Sequence, residues 1–235
     1  NFGFQPSYIR HIHIIDGDRV EQSNLNRQNY VLSDVGRLKA EVLSERLKAI
    51  APDAEIEFTP VYLTEENLTT YALDCDVAVN ALDFSTSVPF LFDCYYVGKN
   101  IPVLHPYNFG WIGCVFVIRT LTSEWLKWEQ FEGKTEVAVA RFVMSRLEKK
   151  TDEWDAFAKV VDAYENEKET LPPPQLAIGS YYVAGMCTSI LCKISSQDRL
   201  CDFPEFNVVP VNDFFMCFPM LLGRNESLNL FVAKR

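Results

Sequence analysis

The chain has 235 residues, 48% hydrophobic and 23% charged, enough to bury a core as one large domain or one domain with an appendage. A formal net charge of −10 disfavours bulk nucleic acid and acidic membrane surfaces, so a phosphate ligand would have to be met by a few local cations. There is no long apolar run of membrane-spanning kind, no basic-then-apolar leader at Asn1, and no C-x-x-C pair among seven cysteines, so a reduced, cytoplasmic protein without a disulfide scaffold or structural zinc is expected.

Tyr8 to Ile15 is β-branched and ends at the turn Asp16-Gly17-Asp18, which predicts a strand. A polar stretch rich in Asn, Arg and Gln follows. From Ser33, read as an N-cap, Val35, Leu38, Val42 and Leu47 recur at helical spacing until Pro52 stops them. Ala54 to Tyr62 predicts a second strand, and Thr64 to Leu73 a short helix capped by Thr64. Cys75 to Asp83 predicts a short buried strand, Ser85 to Asn100 a helix, and Ile101 to Tyr107 and Gly113 to Thr120 two further strands. This alternation argues for an α/β fold with a mainly parallel, doubly wound sheet.

Glu124 to Leu171 differs: closely set aromatics, many charges, and Val137, Phe142, Val143 and Leu147 at helical spacing predict a helical insertion. Trp125, Trp128, Phe131 and Trp154 are expected to form its core or a docking face for a partner. "LPPPQ" is a rigid break, followed by an apolar segment of helix length, judged too short and interrupted for a membrane span. Phe206 to Val211 and Leu228 to Ala233 predict closing strands. The expected organisation is a nucleotide-binding core over residues 1–120, the insertion over 121–172, and a closing helix with terminal strands over 173–235.

Ligands of open α/β sheets sit beyond the carboxyl ends of the strands, where Asp16 and Asp83 fall. Asp16 and Asp18 either make an ordinary turn or accept hydrogen bonds from ribose hydroxyls. Arg27 offers a planar fork and Lys39 a point charge; with a helix N-terminus near Ser33 to Val35 they would gather a polyphosphate, and Asp83 would hold Mg²⁺ against it. A solvated polar loop is the other reading of the same residues.

The strings "HIIDGDRVEQSNLNRQ", "DVGRLKAEV", "DVAVNALD" and "GKNIPVLHPYNFGWIGCVFVI" resemble the ThiF/MoeB/HesA family of ubiquitin-like-protein-activating enzymes, from about Ile9 to Ile118, and the late apolar helix resembles the family's closing helix. The resemblance implies a Rossmann-like fold that uses ATP and Mg²⁺ to adenylate the C-terminal glycine carboxylate of a small ubiquitin-like or sulfur-carrier protein, releasing pyrophosphate. It puts the ribose acid at Asp16, with Asp18 beside it, and a nucleotide-contacting asparagine at Asn24. It puts phosphate contacts at Arg27, Gln28 and Lys39 and the magnesium ligand at Asp83. Arg27, Lys39 and Asp83 would carry the catalysis. It also implies a homodimer; the acidic charge argues against nucleic-acid or membrane partners. Other readings are a non-catalytic partner subunit, or an adenylating enzyme for a small-molecule or tRNA-borne carboxylate.

Three departures stand out. The family's glycine-rich phosphate loop is expected about 20 residues before Asp16, and is taken to lie outside the displayed chain. The paired zinc cysteines of bacterial members are missing. The acceptor cysteine of many members has no counterpart, since Thr120 to Met186 contains no cysteine; Cys187 and Cys201 are the least poor candidates, and Cys75, Cys94 and Cys114 lie in or near buried-looking segments. Gly133-Lys134-Thr135 lacks the upstream glycine of a phosphate loop. His105, at a strand end, either borders the pocket or is a packed histidine. His11 and His13, two apart on one strand, share a face and suggest a metal pair, but no third ligand stands near them in the sequence.

Overall fold

The computed structural model describes residues 9–84, 86–110, 112–127, 135–146, 152–166 and 175–210. Strand β1 (His11–Ile15) pairs in parallel with β2 (Glu55–Thr59), joined by helix α1 (Lys39–Ile50). A second sheet runs in the order β3 (Ala78–Val79), β4 (Val103–Asn108), β5 (Ile112–Ile118), β6 (Asn207–Pro210). The β3–β4 pair is parallel and is linked through α3 (Val88–Gly98); β5 and β6 then join antiparallel. The expected α/β fold is observed, and β6 supplies the first of the two expected closing strands. The second, Leu228 to Ala233, lies outside the described residues.

The helix expected from Ser33 begins later. Leu32–Asp34 form a single 3₁₀ turn, in which the Asp34 carboxylate accepts from Val31 N at 2.8 Å. α1 starts at Lys39, with Leu38 as N-cap. The cause is the loop before it. Arg19 and Leu38 bridge antiparallel, Val20 N donates to Arg37 O and Gly36 N to Val20 O, both at 2.8 Å. Closing the loop this way needs φ +88° at Gly36, a conformation that glycine adopts without steric cost. The helix-terminal dipole therefore sits at Leu38 and Lys39. The strand predicted from Tyr8 to Ile15 forms only from His11, and the helix predicted from Thr64 is the short α2 (Leu68–Tyr71), preceded by a turn in which Thr64 and Asn67 bond reciprocally.

β5 is buried along its whole length, and alternation sends its side chains to two cores. Cys114, Phe116 and Ile118 pack with Phe90, Trp125, Val139, Val143 and Phe203 on one face. Val115 and Val117 pack with Leu104, Val183 and Ile190 of α7 (Ala177–Ser195) on the other. Helices thus cover both faces, as a doubly wound sheet requires, each large apolar side chain contributing about 1.5–3 kcal/mol on burial.

Among the described residues, the stretch expected to be an insertion holds α4 (Ser123–Leu126), α5 (Thr135–Arg146) and α6 (Asp152–Asn166). Trp125 is fully buried core; Trp128, Phe131, Gly133, Lys134 and the "LPPP" break lie outside the described residues. α7 corrects one expectation: by length and composition alone its 19 residues suffice to cross a bilayer. It packs instead on the sheet through Val183 and Ile190, with much of its surface open.

Candidate functional site

Asp16 follows the last residue of β1, and its N–H donates to Thr59 O at 3.3 Å. Its Oδ1 accepts from Asp18 N at 2.8 Å, so the Asp-Gly-Asp turn is tied by its own carboxylate. Gly17 is required there for space: a Cβ would stand 2.7 Å from the Tyr62 backbone N and from its ring. Asp18 then bonds in two directions, to Lys39 Nζ at 2.8 Å and to the Tyr62 hydroxyl, which donates at 2.9 Å. Lys39 N donates to Asp18 O at 2.9 Å, so backbone and side chain together hold the first residue of α1 against the strand-end turn. A carboxylate at a helix N-terminus is favourable, and here it also offsets a lysine placed at the positive end of the dipole.

The electrostatics follow from this crowding. Burial pushes the Asp16 carboxyl up, and the charges of Asp18 and Asp83 push it the same way, against the Asp18 N–H and Lys39. The Lys39 hydrogen bond holds Asp18 below the ordinary carboxylate range. Burial, followed by the charge of Asp16, raises the Tyr30 phenol to about 12. Asp83, beyond the end of β3, thus acts on Asp16, beyond the end of β1: the two sheets bring their strand ends side by side.

The other predicted residues are placed differently. Asn24 is buried, and its Oδ1 accepts from Glu21 N at 2.9 Å, holding a 3₁₀ turn within the polar loop. Arg27 Nε donates to Gln175 Oε1 at 2.9 Å and one terminal nitrogen to Ser23 O at 2.8 Å, so it links the loop to the segment entering α7. Gln28 is half-buried, and its N–H donates to Asn24 O at 2.8 Å. The structure therefore gathers Asp16, Asp18, Lys39 and Asp83, while Asn24, Arg27 and Gln28 bond within the polar loop and, through Arg27, to Gln175. Tyr30 and Tyr62 belong to this neighbourhood and were not singled out in the sequence; a tyrosine closing the predicted second strand was the available signal for Tyr62.

His105 is a packed histidine, not a pocket rim. It is 1% exposed, its Nε2 bonds Asp93 Oδ1 at 2.8 Å, and Trp125 meets its ring edge-on at 4.6 Å. Trp125 Nε1 and Asn80 Nδ2 donate to the same carboxylate. Among the described cysteines, burial pushes Cys114 up strongly and Cys187 to about 11, and burial with the Glu205 contact raises Cys201, away from an activated thiol.

A doubly wound α/β sheet with acids beyond adjacent strand ends defines a class of nucleotide-handling folds. Within that class the chain belongs to the ThiF family, whose sequence profile matches residues 3–215. It is similar to a sulfur carrier protein adenylyltransferase of Thermus thermophilus, 41% identical over 76 residues, which are 32% of this chain and 28% of that protein. It is also similar to a tRNA threonylcarbamoyladenosine dehydratase of Haemophilus influenzae, 34% identical over 79 residues, 33% of this chain and 30% of that protein. The chain thus spans under a third of the curated relatives it matches. Among solved structures, Escherichia coli MccB with ATP superimposes at TM-score 0.55 and 15% identity, over 84% of this chain and 55% of that one. PaaA superimposes at TM-score 0.56 and 18% identity, over 86% and 62%.

Proposed function

We propose that this chain is the core of an ATP- and Mg²⁺-dependent enzyme that adenylates the C-terminal glycine carboxylate of a small ubiquitin-like or sulfur-carrier protein. The observation that carries the reading is the meeting of Asp16, Asp18 and Asp83 at neighbouring strand ends, with Lys39 bonded to Asp18 and acting on Asp16. Burial, with the charges of Asp18 and Asp83 added to it, leaves Asp16 shifted upward against Lys39, surroundings a divalent cation would relieve, so the residues fit Mg²⁺ with Asp83 as its ligand. When bound, Mg²⁺ supplies charge neutralisation at the phosphate oxygens.

Asp16 accepts from the ribose hydroxyls, and the Asp18 N–H keeps its carboxylate turned outward from β1. Lys39 stabilises charge growing on the transferring phosphate. Arg27 joins it by exchanging the neutral acceptors Ser23 O and Gln175 for phosphate oxygens, an exchange favoured by charge. Asn24 and Gln28 hold the loop that carries Arg27. A carboxylate oxygen of the substrate bonds the α-phosphorus, the α–β bridging P–O bond breaks, and its electron pair leaves on pyrophosphate. No general base is needed, because the nucleophile is already ionised. The raised thiols fit release or hand-over of the acyl-adenylate rather than a thioester on this chain.

Homodimerisation and a cytoplasmic location complete the reading. The test is ATP–pyrophosphate exchange in the full-length protein with small glycine-terminated carrier proteins; no exchange with any of them refutes it. A carboxylate borne on tRNA is the second reading, favoured by the similarity to the dehydratase and opposed by the net charge of −10. Exchange stimulated by tRNA and not by carrier proteins would select it.

A further inference from the structure

We infer that His11, His13 and Glu57 form a binding site for one first-row transition-metal dication of the Zn²⁺ kind. Alternation along β1 puts His11 and His13 on one face and Ile12 and Ile14 on the other. The parallel register pairs His13 directly with Glu57 of β2, which brings a carboxylate to the same face. Ile56, on the opposite face, is 4% exposed, on the side where α1 packs against β2, so the His-Glu face is the one α1 leaves open. The third ligand missing from the sequence around the histidines is therefore supplied by the neighbouring strand, 44 positions after His13 (57 − 13).

His11 Nε2 stands within hydrogen-bond distance of Glu57, and the same spacing fits a shared metal. His11 Nε2 lies 3.1 Å and His13 Nδ1 3.8 Å from the same oxygen, Glu57 Oε2, and all three ligand atoms lie within 4.8 Å of one another. Ligands about 2.0–2.1 Å from a tetrahedral Zn²⁺ stand about 3.3 Å apart, between the two observed values. At 3.8 Å the His13–Glu57 contact is too long for a hydrogen bond.

His13 is also oriented as a ligand. Its Nε2 lies 2.8 Å from Thr59 Oγ1; with the proton on Nε2 donated to that hydroxyl, Nδ1 points a lone pair at the Glu57 oxygen. Nδ1 is buried and without a hydrogen-bond partner. A buried lone pair facing a carboxylate oxygen is repulsive, and a cation between them turns both into ligands. The Thr59 contact is the outer-shell bond that fixes tautomer and ring orientation in metal-binding histidines. His11 and Glu57 are about half exposed, which leaves the fourth position to water. The ligand set is nitrogen and oxygen, unlike the paired-thiol zinc site whose absence the cysteine spacing predicts. The bound ion would clip β1 to β2 at the opposite end of β1 from Asp16.

The test uses the purified chain, stripped by chelator dialysis and titrated with Zn²⁺ by calorimetry and with Co²⁺ by visible absorption. One equivalent should bind, the Co²⁺ spectrum should lack thiolate charge-transfer bands, and Zn²⁺ should raise the melting temperature. His13→Gln and Glu57→Gln should each weaken Zn²⁺ binding at least tenfold and abolish the melting shift. His11→Gln, at an exposed position, should do the same with unchanged metal-free circular dichroism and melting, which guards against a folding defect in the other two. The site is overturned by failure to bind Zn²⁺, by equal binding in parent and variants, or by a charge-transfer band assigning the ion to cysteine.

Discussion

Asp93→Ala removes a carboxylate that is 0% exposed and accepts from three side chains at 2.8 Å each: Asn80 Nδ2, His105 Nε2 and Trp125 Nε1. A hydrogen bond to a charged group contributes about 1.5–3 kcal/mol net, and each buried donor left unpaired costs about 1–3 kcal/mol. These values do not add, because deletion also relieves the cost of burying the charge; losses on breaking buried charged pairs cluster at about 3–5 kcal/mol, and with three donors losing this acceptor at once (Asn80 Nδ2 keeping its bond to Pro89 O) the upper end is expected. Against a total stability of about 5–15 kcal/mol, that is a third or more of the fold. Asp93→Asn keeps one acceptor oxygen but turns an NH₂ toward a donor, so a smaller loss of about 2–3 kcal/mol is expected. Urea unfolding followed by tryptophan fluorescence measures both as shifts in midpoint at unchanged slope. A loss below about 1 kcal/mol in either variant would refute the account, since the carboxylate would then not be what holds β3, β4, α3 and α4 together.

Lys39→Met removes the cation bonded to Asp18 and should lower ATP–pyrophosphate exchange about 10²–10³-fold, as loss of one preorganised charge stabiliser does elsewhere. The same variant tests the pH dependence. Lys39 holds Asp18 below its ordinary value of 3.8, so the pair contributes stability above that value and loses it as pH falls through the lowered one. Urea midpoints from pH 5 downward should therefore fall less steeply in Lys39→Met than in the parent. Gly17→Ala drives a methyl into Tyr62 and should cost about 1–3 kcal/mol as overpacking, with loss of exchange, read by thermal melting and the exchange assay. Cys187→Ala and Cys201→Ala should leave exchange unchanged, and iodoacetamide at pH 8 should label Cys114 and Cys187 last, as mass spectrometry of digested samples would show.

Local pattern carried the strands and the strand-end acids. His11–Ile15 and Ile112–Ile118 are rich in β-branched residues, Val103–Asn108 continues the apolar start Ile101 to Leu104, and Asp16 and Asp83 stand where an α/β sheet puts ligand-facing acids. The start of α1 was misread because the apolar spacing of Val35 and Leu38 continues a helical pattern backwards. What decides the boundary is pairing across the loop, Arg19 with Leu38, and the positive φ at Gly36. Nor could local sequence show that Asn80, Asp93, His105 and Trp125 share one carboxylate, since they come from four separate segments. The same holds for Glu57 and the two histidines, which meet only through strand register. Tyr62 escaped because its importance lies in covering Gly17 and bonding Asp18, both across a crossover.

The paired neck at residues 18–20 and 36–39 makes the polar stretch between Glu21 and Val35 a closed appendage with clamped ends. Because the clamp is backbone to backbone, Asp18 and Lys39 stay registered whatever lies inside it. Loop closure costs only about 0.6 kcal/mol more for each doubling of length. The appendage can therefore lengthen, shorten or change composition at almost no cost to the acid–lysine geometry. Diversification of what the loop touches is thereby uncoupled from the Asp18–Lys39 register at its neck.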